Sequence, residues 1–175
     1  MMILMAGLPG TGKSTLAREL AARTSGRILS KDEIRHAIFL PDEIEYSSRQ
    51  DDVCLHLILE TAGYLLSRNP ARSIFIDGRP FSRRYQIENV LGAAAFFHQP
   101  WRILECICSE ETVRRRLAAD AGAGDHPAGN RDYQLYLEVK SRFEAITHAK
   151  TVIDTERPLE ACVEQALAAL RSVTV

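Results

Sequence analysis

Eight consecutive residues, Gly7-Leu8-Pro9-Gly10-Thr11-Gly12-Lys13-Ser14, carry the spacing G-x-x-x-x-G-K-[ST]. Glycines at those positions let successive backbone amides turn inward on a phosphate, and a helix opening just behind them adds the positive end of its dipole. Lys13 can then reach the β- and γ-phosphates of a nucleoside triphosphate. Ser14 offers a hydroxyl to a Mg²⁺ ion bridging the same two phosphates. Gly7, Gly10, Thr11, Gly12, Lys13, Ser14 and Thr15 are therefore the candidate ATP-binding residues, with Lys13 also catalytic and Ser14 also a metal ligand.

A phosphate loop does not by itself choose between hydrolysis, transfer and switching, so the remaining carboxylates and cations decide. Ser30-Lys31-Asp32-Glu33-Ile34-Arg35 closes a second short apolar run, which places Asp32 at the C-terminal edge of a strand, where open α/β sheets bind ligands. Arg35 lies one helical turn on and faces the same way. A carboxylate there can orient an acceptor hydroxyl and take its proton, while the guanidinium clamps an anionic group; a cap with a surface ion pair is the plainer alternative. Ser73-Ile74-Phe75-Ile76-Asp77 ends in a second carboxylate resembling a Walker B aspartate, a candidate Mg²⁺ ligand directly or through water, unless Asp77 only shapes the turn before Gly78. Arg79, Arg83 and Arg84 follow, either binding the acceptor's charge or forming a solvated helix start. Tyr46 and Phe81 could stack on an aromatic acceptor or pack against a lid.

Elements able to position these groups alternate along the chain. Strand-like runs fall at Met2 to Ala6, Arg27 to Ser30, Ser73 to Asp77, Trp101 to Cys108 and Thr151 to Asp154. Helical spacing covers Ser14 to Arg23, Asp32 to Leu40, Asp51 to Ser67, Ser82 to Phe97, a helix capped by Ser109 and running through Leu117, Tyr133 to Ile146, and a terminal helix striped by Leu159, Cys162, Val163, Ala166, Leu167 and Leu170. Residues 42 to 50 read as a loop. Residues 120 to 130 carry three glycines and no periodicity and read as a mobile surface loop. The order is that of an α/β protein.

Length and charge narrow the class. A chain of 175 residues with 46% hydrophobic and 26% charged residues fits one globular domain, residues 1–175, and excludes disorder and fibrous repeats. A net charge of -1 gives no basic excess for bulk nucleic-acid binding. No apolar run approaches a membrane span and the apolar start leads straight into the glycine loop, so a cytoplasmic location with reduced cysteines is expected. Cys106 and Cys108 would share a strand face but match no zinc spacing, and small buried hydrophobes are the favoured reading. None of the five histidines has ligand spacing.

The chain resembles the small P-loop kinases grouped with AAA-type predicted-kinase sequences, relatives of phage polynucleotide kinase and of gluconate- and shikimate-kinase-like proteins. The carrying features are the Gly7 to Ser14 loop, the second-strand D-x-x-R at Asp32 to Arg35, and the third-strand aspartate, Asp77. The resemblance implies a three-layer P-loop NTPase sandwich whose five-stranded parallel sheet has the order 2-3-1-4-5, with a lid segment, residues 120–131. It also implies a lid arginine pair spaced R-x-x-x-R. Arg116 matches the first member, but Asp120 stands at the second. Arg131 is the preferred replacement, ahead of Arg114 and Arg115, because an arginine closing over ATP helps to exclude water. The leading expectation is an ATP- and Mg²⁺-dependent kinase acting on a hydroxyl of a small molecule, with no membrane partner. A polynucleotide 5'-hydroxyl kinase, with nucleic acid entering only as a 5'-end substrate, and a nucleotide-dependent switch are the alternatives.

Overall fold

Alternate residues of the first strand point in opposite directions, and each set is apolar, so the strand must be covered on both sides. The computed structural model, which describes residues 1–123 and 132–172, shows how. Its strands are β1 (Met2–Ala6), β2 (Arg27–Ser30), β3 (Ile74–Asp77), β4 (Trp101–Ile107) and β5 (Thr151–Asp154); its helices are α1 (Lys13–Thr24), α2 (Lys31–Ile38), α3 (Ser48–Arg68), α4 (Arg84–Phe96), α5 (Glu110–Ala123), α6 (Tyr133–Ser141) and α7 (Leu159–Arg171). The strands form one parallel sheet in the order β2-β3-β1-β4-β5, as the resemblance implies.

Met2, Leu4 and Ala6 pack with Ile74, Ile76 and Ile103 against Leu55, Ile58 and Leu66 of α3 and Val90 of α4. Ile3 and Met5 join Phe75, Leu104 and Ile153 against Leu16 and Leu20 of α1 and Val163 and Ala166 of α7. Two apolar layers thus clamp the sheet and fix its C-terminal edge. A smaller cluster of Val113, Leu117 and Tyr136 joins α5 to α6, with Leu8 of the glycine loop packed on it.

Several boundaries differ from the sequence reading. Helix α3 starts at Ser48 rather than Asp51, because the Ser47 hydroxyl accepts from the Gln50 amide and the Gln50 side chain bonds both the Glu45 amide and the Glu43 carbonyl. Residues 48–50 are therefore helix, not loop. Helix α2 starts at Lys31, one residue before the expected Asp32, and is capped by Ser30, so Asp32 sits in its first turn, directly beyond the C-terminal end of β2. Helix α6 ends at Ser141 rather than Ile146; beyond it Glu144 turns back to accept from the Arg84 amide and the Arg83 guanidinium. Helix α5 runs through Ala123, so the expected loop from 120 is helical at its start, and its remainder, with Arg131, lies outside the described residues. Among the described residues no helix is long and apolar enough to cross a membrane.

Candidate active site

Strand β1 ends at Ala6, and Gly7 leaves it at φ 128. A Cβ at Gly7 would lie 2.3 Å from the Cys106 carbonyl oxygen on β4, so only glycine fits the close approach that starts the loop. The loop then closes on itself. Thr11 Oγ1 donates to the Leu8 carbonyl at 2.7 Å, and Lys13 Nζ donates to the same oxygen at 2.8 Å. Gly12, at φ 81, caps α1 with no side chain of its own, which leaves the helix N-terminus open to a ligand.

On one side of this loop lies a cleft of about 460 Å³, bounded by Gly10, Gly12, Ser14, Thr15, Arg116 and Asp120. Arg116 is fixed there: Nη1 donates to Thr155 Oγ1 at 3.0 Å and Nη2 to the Thr155 carbonyl at 2.8 Å. Thr155 in turn donates to the Thr11 carbonyl at 3.0 Å, tying the end of β5 to the phosphate loop. Asp120, where the second lid arginine is expected, also lines the cleft. Arg114 instead stacks on Tyr133, 4.5 Å from the ring centre, and donates to its hydroxyl, while Arg115 is exposed. The cleft gains cations that the sequence reading missed, Arg18 and Arg157.

On the other side is a smaller pocket of about 130 Å³ reached by Lys13, Ser14, Asp32, Arg35, Tyr46 and Arg79. Lys13 appears in this pocket and Ser14 in both, so the loop is the partition between them. Asp32 is buried, and its Oδ1 is 3.1 Å from both Lys31 Nζ and Arg35 Nη1. Arg35 is fully buried, with Tyr46 stacked 5.1 Å from its guanidinium. The plainer expectation for this pair, a cap with a surface ion pair, is overturned, since Ser30 is the cap and the pair is interior.

Asp51, in the first turn of α3, and Asp52 next to it were missed by sequence reasoning. Asp51 contacts Lys31 at 2.9 Å and also Arg35. Asp52 meets Arg79 Nη1 at 2.7 Å without hydrogen-bond alignment. The signal was present as an acidic pair beginning a helical stripe, but it points to this pocket only once α3 is known to pack on α2. Gly78 lets the turn after β3 approach the same helix: it turns at φ 87 against the first turn of α2, where a Cβ would lie 3.0 Å from the Lys31 amide nitrogen. Of the following arginines only Arg79 reaches the pocket. Arg83 is paired with Glu144 and Arg84 with Glu88, both at the surface. Phe81 is fully buried in the core, not at the site edge.

Strand β3 pairs with β1 in register Ile76 to Leu4, which sets Asp77 beside the strand end that feeds the loop. Asp77 is buried and its Oδ1 has no hydrogen-bond partner, a costly state that a cation would relieve. The chemistry of Asp77 therefore fits a cation. Among the described residues no group of three His, Cys, Asp or Glu could hold a metal by itself. Cys106 lies just behind the loop, and burial pushes its thiol up to about 12, so it is an inert core residue.

Residues 2–146 match the model of a family described as an AAA domain. The chain belongs to that family. Among curated proteins none matches it. Solved structures similar to this P-loop kinase-like AAA domain include an APS kinase from Mycobacterium tuberculosis in complex with AMPPNP and APS, at a TM-score of 0.73 and 16% identity over 98% of this chain and 97% of that one. A sugar kinase from Janibacter sp. gives 0.69 and 19% over 97% and 93%, and a gluconokinase from Sinorhizobium meliloti gives 0.68 and 16% over 97% and 90%. These likenesses establish a kinase-like P-loop fold for the AAA domain described here.

Proposed function

We propose that this chain is a phosphotransferase that moves the γ-phosphate of ATP, with Mg²⁺, to a hydroxyl of a small-molecule acceptor. The observation that carries the reading is the partition: one phosphate loop separates a large cleft from a small carboxylate-lined pocket, and Ser14 borders both. A hydrolase or a switch needs only the first of these.

The amides of Gly7 to Ser14 hold the polyphosphate, and Lys13 leaves the Leu8 carbonyl to meet the β- and γ-phosphates as negative charge moves toward the leaving oxygen. Ser14 and Asp77 would hold the Mg²⁺, which would offset phosphate charge when bound. Asp32 accepts the proton of the attacking hydroxyl. Arg35, locked by two carboxylates and Tyr46, keeps Asp32 aimed rather than reaching for substrate itself. Arg116 borders the nucleotide through Thr155, and Arg131, outside the described residues, completes the proposed set as the lid cation. A 5'-hydroxyl polynucleotide end is less well supported, since Arg83 and Arg84 are engaged at the surface and the pocket is small.

The test is ADP release with Mg²⁺-ATP across a panel of hydroxyl compounds, in the parent chain and in Lys13→Ala. Release should rise well above the acceptor-free rate for at least one compound, and Lys13→Ala should lower that rate by ~10²-fold or more. Equal release with and without every acceptor would favour a hydrolase or switch instead.

A further inference from the structure

The charges around Asp32 form a closed alternation. Asp32 Oδ1 lies 3.1 Å from Lys31 Nζ and 3.1 Å from Arg35 Nη1, and on the far side both cations meet Asp51 Oδ1, Lys31 at 2.9 Å and Arg35 in direct contact. Side-chain exposures of 10% for Lys31, 9% for Asp32, 1% for Arg35 and 20% for Asp51 place the ring in the protein interior, where charges are weakly screened. Two cations and two carboxylates sum to zero. Of the other cations of the pocket wall, Arg79 meets Asp52 at 2.7 Å, and Arg142 meets Glu138 at 3.1 Å in an exposed pair at the rim. The Nε and Nη1 of Arg79 lack aligned acceptors, but protein encloses them and they offer no open fork. Lys13 is assigned to the phosphates under the phosphotransfer reading.

An acidic acceptor entering such a pocket would lose its hydration and find the two buried cations of the ring, Lys31 and Arg35, already shared with carboxylates, Asp51 foremost. Uncharged hydroxyls are treated differently. They can donate to the carboxylates and accept from the ammonium and guanidinium groups without disturbing the balance. Pro9, Pro80, Leu135 and Val139 supply apolar wall for carbon-bound hydrogens. We infer that the acceptor is an uncharged, hydroxyl-rich molecule, and that Asp51 is the specificity-determining residue that excludes acidic analogues. This deepens the phosphotransfer reading and rests on it.

The experiment titrates matched pairs, glycerol against glycerate, ribitol against ribonate and glucose against glucose 6-phosphate, into protein saturated with AMPPNP and Mg²⁺, by calorimetry. The parent chain should bind the neutral member of at least one pair about tenfold or more tightly than its acid. Asp51→Asn, which leaves one cation uncompensated, should reduce or invert that ratio by about tenfold. Lys31→Met should push it the other way. The double variant Asp51→Asn with Lys31→Met restores neutrality and should restore the parent preference, which a merely structural role for Asp51 would not do; it also serves if a single variant folds poorly. Tighter binding of the acids by the parent chain, no binding of any neutral compound, or an unchanged ratio in the variants overturns the inference. Preference for the carboxylates or for the phosphate ester would show which anion the pocket takes instead. The AMPPNP titration reports separately on the nucleotide reading, so each can fail without the other.

Discussion

The two hollows flanking Lys13 are built on opposite plans. The nucleotide cleft is wide, lined on one side by the phosphate loop and the start of α1 and on the other by α5 and the segment after β5, where Arg116 and Thr155 form a brace. The pocket proposed for the acceptor is less than a third of that volume and is assembled largely from side chains of α2, α3, α6 and the turn after β3, with Lys31 and Arg35 locked onto carboxylates. Backbone amides grip any polyphosphate alike, whereas a web of side-chain charges discriminates by net charge and shape. The first plan suits a shared cosubstrate, and the second suits a particular acceptor.

Removing the carboxylate on the acceptor side should separate the two plans most sharply. Asp32→Asn is expected to lower the acceptor-dependent rate by ~10²-fold or more while nucleotide affinity, read by AMPPNP titration, stays near the parent value; a comparable loss of nucleotide affinity would mean that the hollows are not independent. On the other side, Arg116→Ala frees Thr155 and removes a cation from the cleft. It should weaken nucleotide binding by about tenfold and leave the acceptor KM unchanged. Matched losses in both constants would erase the distinction.

The smallest effect concerns the brace itself. Hydrogen bonds from Ser109 and then Thr112 hold the Glu156 carboxyl, next to Thr155, below its ordinary value of 4.5. A depressed folded-state pKa contributes stability above the unfolded value, and that contribution is lost as pH falls from about 4.5 through the lower folded value. Thermal unfolding followed between pH 6 and 3 should therefore show a steeper acid decline for the parent chain than for Glu156→Gln. Identical slopes would remove Glu156 from the brace.

How much of this was readable before the fold was known follows the same division. The loop from Gly7 to Ser14 was legible because its geometry is local: spacing alone dictates which amides converge. Strand order followed from the family resemblance, and strand positions from apolar runs that cannot be solvated. Asp32 and Arg35 were legible as a pair at helical spacing, but their surroundings were not. Lys31, Asp51 and Asp52 carry no signal of their own until α3 is seen to begin at Ser48 and to lay its N-terminal end against α2. The expectation that Arg35 clamps an anion failed to anticipate its burial between two carboxylates, a tertiary fact with no sequence period. Thr155 was missed for a similar reason, since its importance lies in a bond to a carbonyl on the far side of the chain.

The most direct test of the central claim follows the fate of the γ-phosphoryl. ATP labelled with oxygen-18 in its terminal phosphoryl group is supplied with Mg²⁺ and the hydroxyl panel, and the products are read by mass spectrometry. The account predicts that the labelled phosphoryl appears on an acceptor oxygen in step with ADP. Label recovered only in inorganic phosphate, with every acceptor unmodified, would contradict it.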